Sequence, residues 1–136
     1  MSDLRSYISQ IKKINELKTI KSPVSTKYEI AGITAKVDGS DAVLFEKIKE
    51  SDFRLIANLV GTRKRFAIAV GGTENNIHEK VISAIKKAKK SKIVSSGKFM
   101  ENKSKNLLSM PIVSHFEKES GPFITSSVAY AKNPET

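Results

Sequence analysis

The chain has 136 residues, no cysteine, 39% hydrophobic and 28% charged residues, and a formal net charge of +10. That length suits one domain, or one domain with a fragment of the next, and lets the chain bury roughly two thirds of its unfolded surface. The composition excludes disulfides, thiolate metal sites and a cysteine nucleophile, and it is not that of a wholly disordered chain.

No apolar run approaches the roughly 20 residues of a membrane span. The N-terminus carries Asp3 and Arg5 and lacks an apolar signal core, so the expected location is the cytoplasm.

Leu4, Tyr7, Ile8, Ile11 and Ile14 recur at three- and four-residue steps, which predicts a helix with one apolar face, running to about Lys18. Asp3 near its start suits the helix dipole. Lys18 to Lys21 reads as a short strand stopped by Ser22-Pro23. Thr26 and Glu29 have the spacing of a capping box, with Thr26 as the cap and Glu29 reaching back, ahead of a second helix ended by Asp38-Gly39-Ser40.

Ala42-Val43-Leu44-Phe45 and Arg54 to Leu59 are compact apolar runs of strand length. The polar turn Lys49 to Asp52 between them makes them neighbours or a hairpin. Thr62 is the expected cap of a third helix whose apolar part is Phe66, Ile68, Ala69 and Val70, ended by Gly71-Gly72. A fourth helix is predicted from about Asn76 to Lys90, with Ile77, Val81, Ala84, Ile85 and Ala88 on one side and Lys80, Lys86, Lys87 and Lys90 mostly opposite.

Ser91 to Leu107 has little periodicity and reads as loop. Met110-Pro111-Ile112 is expected to be extended, Ser120-Gly121-Pro122 to turn, and Phe123 to Ala131, rich in β-branched and small residues, to form a strand.

Local motifs supply little chemistry. His78 and His115 lie far apart in the chain, with no carboxylate at metal-ligand spacing on a shared helix, so each reads first as an exposed or capping histidine. Gly71-Gly72 belongs to no dinucleotide or P-loop pattern, and no nucleophile elbow is present. Lys86 to Lys105 holds eight lysines against one acid, Glu101, and the rest of the chain is nearly balanced. That stretch is either the solvated face of an amphipathic helix or a weak binding surface for nucleic acid or other anions. Between Ile77 and Lys105 the only aromatic besides His78 is Phe99, a poor supply of stacking platforms for a nucleic-acid binder.

The order of the segments says more. Leu4-Arg5-Ser6-Tyr7-Ile8 followed by Glu16-Leu17-Lys18-Thr19-Ile20 resembles the opening of UbiD-family proteins. Glu29-Ile30-Ala31-Gly32-Ile33 is similar to that family's E-I-A-x-I helix, and Ala42 to Ile48 to its A-L-L-F-E-N-V strand. Asn58-Leu59-Val60-Gly61-Thr62-Arg63-Lys64-Arg65 resembles its N-x-x-G-[ST]-R-x-R turn. Met110-Pro111-Ile112 with His115, Gly121-Pro122-Phe123-Ile124-Thr125, and Asn133-Pro134-Glu135-Thr136 are similar to its L-P-I-x-x-H, G-[PG]-[YF]-I-T and D-P-E-T signatures.

The resemblance implies an α+β fold, with four helices around a small mixed sheet in an N-terminal domain over residues 1–106. The opening strand of a split-barrel-like flavin-binding domain would lie in 107–136. It implies kinship with decarboxylases of aromatic or α,β-unsaturated acids that use prenylated FMN with a divalent metal (Mn) and K. Those enzymes hold the metal and flavin phosphate with an Asn, a His and a Glu, and handle the proton through a Glu-Arg-Glu network. In family order the Asn and the first Arg follow the P-E-T segment, so none has a counterpart here.

Thr125 is the position carried over as cofactor-lining, with His115 second; a strand threonine with a satisfied hydroxyl is the plain alternative for Thr125. The resemblance thus implies a truncated or split component, inactive alone, working with a chain that carries the remaining UbiD domains and open to homo-oligomerisation. Two other readings stand beside it. One is a non-catalytic module that binds anions or nucleic acid through Lys86 to Lys105, and the other is a small enzyme of unrecognised chemistry.

Overall fold

The computed structural model describes residues 3–88, 90, 93–97, 101 and 106–124. Among the described residues, four helices and three strands follow one another as α1 (Leu4–Lys13), β1 (Leu17–Ile20), α2 (Glu29–Lys36), β2 (Ala42–Phe45), β3 (Leu55–Ala57), α3 (Arg63–Ala69) and α4 (Ile77–Lys86), followed by a 3-10 turn at Leu107–Ser109.

The sheet is mixed, in the order β1-β2-β3. β1 pairs parallel with β2, with Leu17 opposite Ala42, and the chain between them carries α2, as a parallel connection requires. β2 pairs antiparallel with β3, with Val43 opposite Ala57. The architecture is the α+β arrangement of four helices and a small mixed sheet that the sequence predicts.

Strand alternation divides the core. Val43 and Phe45 point to one face of β2 and join Val24, Ile30 and Ile48, with Val113 packed against them. Ala42 points to the other face and joins Tyr7 and Ile11 of α1, with Ile68 of α3 against it. The period of two along β2 therefore builds two layers, α2 on one side and α1 with α3 on the other. Burying a side chain such as Phe45 or Ile11 contributes about 1.5–3 kcal/mol.

The boundaries differ from expectation in instructive places. α1 ends at Lys13, not near Lys18, because Asn15 adopts φ 59 and turns the chain toward β1. β3 stops at Ala57 rather than Leu59, because Asn58 adopts φ 55; its side-chain amide donates to Thr34 O at 3.2 Å. Short polar side chains tolerate this left-handed region better than most.

The capping box at Thr26 does not form. The residue before α2 is Tyr28, at φ 68, and it makes no side-chain cap. Glu29 Oε2 instead accepts from Ser25 N at 2.7 Å, and Thr26 N donates to Glu50 Oε2 at 3.0 Å. A carboxylate from the turn after β2 has taken the amide that a local motif would have used. At α3 the expected cap holds: Thr62 Oγ1 accepts from Arg65 N at 3.2 Å. Its buried residues, however, are Arg65 and Ala67, whereas Phe66 and Ala69 are exposed.

α4 is shorter than predicted, and of its apolar side only Ile77 is buried; Val81, Ala84 and Ile85 are exposed. Met110 has extended backbone angles, but Ile112 N donates to Met110 O at 2.9 Å, so the chain turns tightly at Pro111 instead of running straight as expected; the strand predicted from Phe123 to Ala131 lies outside the described residues from 125 onward. No helix among the described residues is long and apolar enough to cross a membrane.

Candidate functional site: an apolar groove beside His115

β3 is an edge strand, so one side of it is left for another part of the chain to cover. The segment Met110 to Val113, which turns at Pro111, lies beside this strand. Between it and the run Phe53 to Ile56 lies an open groove of about 610 Å³, whose lining is completed by His115, Phe123 and Ile124.

Of the two residues carried over by resemblance, His115 is on this groove, and Thr125 lies outside the described residues. The His115 side chain is 51% exposed, with Nδ1 3.9 Å from Glu119 Oε1. Its backbone N–H donates to Glu119 Oε2 at 3.0 Å. Glu119 thus fixes the backbone of the histidine and leaves the imidazole free to donate to or accept from a group in the groove.

The groove also contains the guanidinium-bearing Arg54 and two phenyl rings, Phe53 and Phe123. Apolar walls with a few convergent polar groups suit a planar organic ligand. Among the described residues, no group of three or more His, Cys, Asp or Glu is placed to hold a metal. The described surface thus offers apolar walls and one imidazole at this groove, and no set of metal ligands among the described residues.

What holds the groove in place is legible in the hydrogen bonds. Ser114 N donates to Thr26 O at 3.0 Å, and Tyr28 N donates to Ser114 O at 3.2 Å. Ser51 Oγ donates to Ser109 O at 2.7 Å. Val113 packs into the core between these ties.

A second polar centre lies on the opposite face of the sheet. Arg65 is fully buried. Its Nη1 donates to Glu16 Oε2 at 2.9 Å and to Ser40 O at 2.5 Å, while Nε and Nη2 have no partner. Lys64 Nζ reaches Glu16 Oε1 at 2.7 Å. The hydrogen bond from Lys64 and that from Arg65 outweigh desolvation and hold the Glu16 carboxyl below its ordinary pKa. Tyr7 Oη donates toward Leu59 O at 2.7 Å and Arg65 O at 3.1 Å, and burial pushes its phenol up. This centre joins α1, β1 and α3. Its groups are spent on ties between elements, so it reads as structure.

His78 is exposed on α4. Lys80, Lys86, Lys87 and Lys90 are exposed as well, and the remaining lysines of the basic stretch, from Lys89 to Lys105, lie outside the described residues. A hollow of about 780 Å³ between α3 and α4 is lined by Ala69, Val70, Gly71, Val81, Ala84 and Ile85, with Lys80 at its side. It offers no acid, base or nucleophile beyond that ammonium.

Sequence reasoning missed the roles of Glu50, Ser51 and Arg65. The family-like string Asn58 to Arg65 did carry a signal for Arg65, since Gly61 is the residue whose bareness admits it. A Cβ at Gly61 would stand 3.3 Å from Arg65 Nη2.

The chain is similar to known proteins over most of its length. Residues 8–85 match the model of the 3-octaprenyl-4-hydroxybenzoate carboxy-lyase N-terminal domain, and residues 86–136 match that enzyme's Rift-related domain. An anhydromevalonate phosphate decarboxylase from Methanothermobacter thermautotrophicus is 26% identical over 133 residues, covering 98% of this chain and 31% of that protein.

The UbiD-class enzyme HmfF from Pelotomaculum thermopropionicum, solved in complex with FMN, superposes with a TM-score of 0.79 at 26% identity, over 88% of this chain and 28% of that one. An evolved dimeric form of HmfF in complex with prFMN superposes with a TM-score of 0.81 at 26% identity, over 90% of this chain and 30% of that one. The chain thus spans about 31% of the length of a curated relative. With the N-terminal model matched across more than half of its residues and the Rift-related model across residues 86–136, the chain belongs to the UbiD family of 3-octaprenyl-4-hydroxybenzoate carboxy-lyases.

Proposed function

We propose that these residues are the N-terminal part of a prenylated-FMN-dependent decarboxylase of aromatic or α,β-unsaturated acids, and that they furnish one wall of its cofactor site without turning over substrate alone. The observation that carries this reading is the pair of consecutive family matches over residues 8–85 and 86–136. The likeness to HmfF, solved with FMN and with prFMN, supports it. The groove beside His115 is the described surface best suited to face a planar ring.

In this reading the flavin, when bound, supplies the electron sink that a decarboxylation requires. The contribution of this chain is geometric. Phe53 and Phe123 exclude water from one side, and His115 offers a hydrogen bond. Thr125, one residue beyond the groove-lining Ile124, belongs to the same proposal as a cofactor-lining hydroxyl.

The metal, the potassium ion and the proton-transfer groups come from the catalytic region of such an enzyme. Residues 1–106 act as the N-terminal domain and 107–136 as the start of the flavin-binding domain. A cytoplasmic location and a homo-oligomeric assembly complete the proposal; the dimeric form of HmfF supports the latter.

The test is reconstitution. The purified chain is mixed with prenylated FMN and manganese, desalted, and examined for flavin absorbance and for CO2 release from unsaturated acids. The expected result is neither with the chain alone, and both once a UbiD catalytic region is supplied. Stoichiometric flavin retained by the chain alone would overturn the division of labour.

A further inference from the structure

The segment that carries His115 is held from a place the family strings do not mark. Glu50 and Ser51 follow the buried Ile48 on the turn after β2. Glu50 Oε1 accepts from Ser25 Oγ at 2.5 Å, and its Oε2 accepts from Thr26 N at 3.0 Å. Ser25 Oγ in turn accepts from Lys27 N at 3.0 Å. Ser25 N is taken from the other side by Glu29 Oε2 at 2.7 Å, and Glu29 is braced by Lys49 Nζ at 2.9 Å.

This loop is thereby gripped by two carboxylates, and both of its free ends face Ser114. Thr26 O receives Ser114 N at 3.0 Å, and Tyr28 N donates to Ser114 O at 3.2 Å. The residue next along from Glu50 completes the grip: Ser51 Oγ donates to Ser109 O at 2.7 Å, across a separation of 58 residues.

We infer that Glu50 and Ser51 are positioning residues for the candidate site: two consecutive side chains that hold both ends of residues 109–114 and so fix where His115 and the groove wall stand. Glu50 acts through the Ser25–Tyr28 loop, and Ser51 acts on the segment itself. Two carboxylate oxygens each receiving a donor fix an orientation, which a single contact cannot. Both side chains sit on a turn anchored by the Val24–Ile48 bridge to the core, and a supporting side chain fixes its neighbour only when its own base is rigid. This inference rests on the proposed function only where it calls the held segment a wall of the cofactor site.

The experiment measures hydrogen exchange of individual amides by NMR on the full 136-residue chain at pH 7, for wild type, Glu50→Ala, Glu50→Gln and Ser51→Ala. In Glu50→Ala the amides of Ser114 and Tyr28 are expected to exchange about tenfold faster, while those of Val43 to Phe45 in β2 keep their wild-type rates. Glu50→Gln, which retains one acceptor oxygen, is expected to recover part of the protection. Ser51→Ala is expected to shift the His115 ring resonances with the β2 amides unchanged.

Wild-type exchange at Ser114 in both alanine variants overturns the inference, and so does a uniform acceleration that includes β2. A second readout separates the two readings: flavin retention by the reconstituted enzyme carrying Glu50→Ala. Faster Ser114 exchange with weaker flavin retention supports both. Faster exchange with undiminished retention leaves the clasp standing and refutes the flavin wall.

Discussion

Replacing Arg65 is the sharpest probe of the fold. Its guanidinium is fully buried, ion-paired to Glu16 at 2.9 Å and bonded to Ser40 O, yet Nε and Nη2 have no partner. Removing one member of a buried pair ordinarily costs about 3–5 kcal/mol, because the other charge is left uncompensated. Here Lys64 remains 2.7 Å from Glu16, whose side chain is 18% exposed, so that part of the loss is softened. Arg65→Ala also empties the space of a long side chain in the sheet-facing layer. These effects together place Arg65→Ala at about 3–4 kcal/mol, a third or more of the stability of a typical domain.

Arg65→Met keeps most of the volume and takes the unpartnered Nε and Nη2 nitrogens with it, so about 1–2 kcal/mol is expected. Urea unfolding followed by circular dichroism at pH 7 reads both, with the slope checked for constancy. If Met costs as much as Ala, packing of the stem is not what matters and the reasoning fails. If Ala costs under about 1 kcal/mol, the centre is no keystone.

Tyr7→Phe removes the hydroxyl shared by Leu59 O and Arg65 O and is expected to lower stability by about 1–2 kcal/mol in the same assay, an effect absent from Tyr28→Phe. Acid unfolding has a determinate sign. Glu16, Glu29, Glu50 and Asp41 are all held below their ordinary values, chiefly by hydrogen bonds from Lys64, Lys49, Ser25 and Lys18 respectively. The unfolded chain therefore binds more protons in the acid range. Stability should be level above the unfolded carboxylate values and fall as pH drops through roughly 4.5 and below. A urea midpoint unchanged from pH 6 to pH 3 would contradict this.

Much of the fold was readable from local pattern. Ala42 to Phe45 is a strand because four consecutive apolar residues serve both faces of a covered sheet, and Thr62 caps α3 through its own hydroxyl. The family strings located the groove-lining segment Met110 to Ile124 without revealing what it packs against. Thr26 shows why such reading stops: its spacing to Glu29 is right for a capping box, but Glu50, 24 residues away, takes its amide.

What the sequence determined by itself was periodicity, turn chemistry and kinship, because these depend on neighbours within a few residues or on the order of motifs. Only the tertiary structure decided that Arg65 is buried, that α4 leaves most of its apolar side exposed, and that Glu50 and Ser51 hold the segment bearing His115. Each of those depends on which groups meet across long loops. A hydrogen bond between residues 58 apart leaves no mark on the local sequence of either partner.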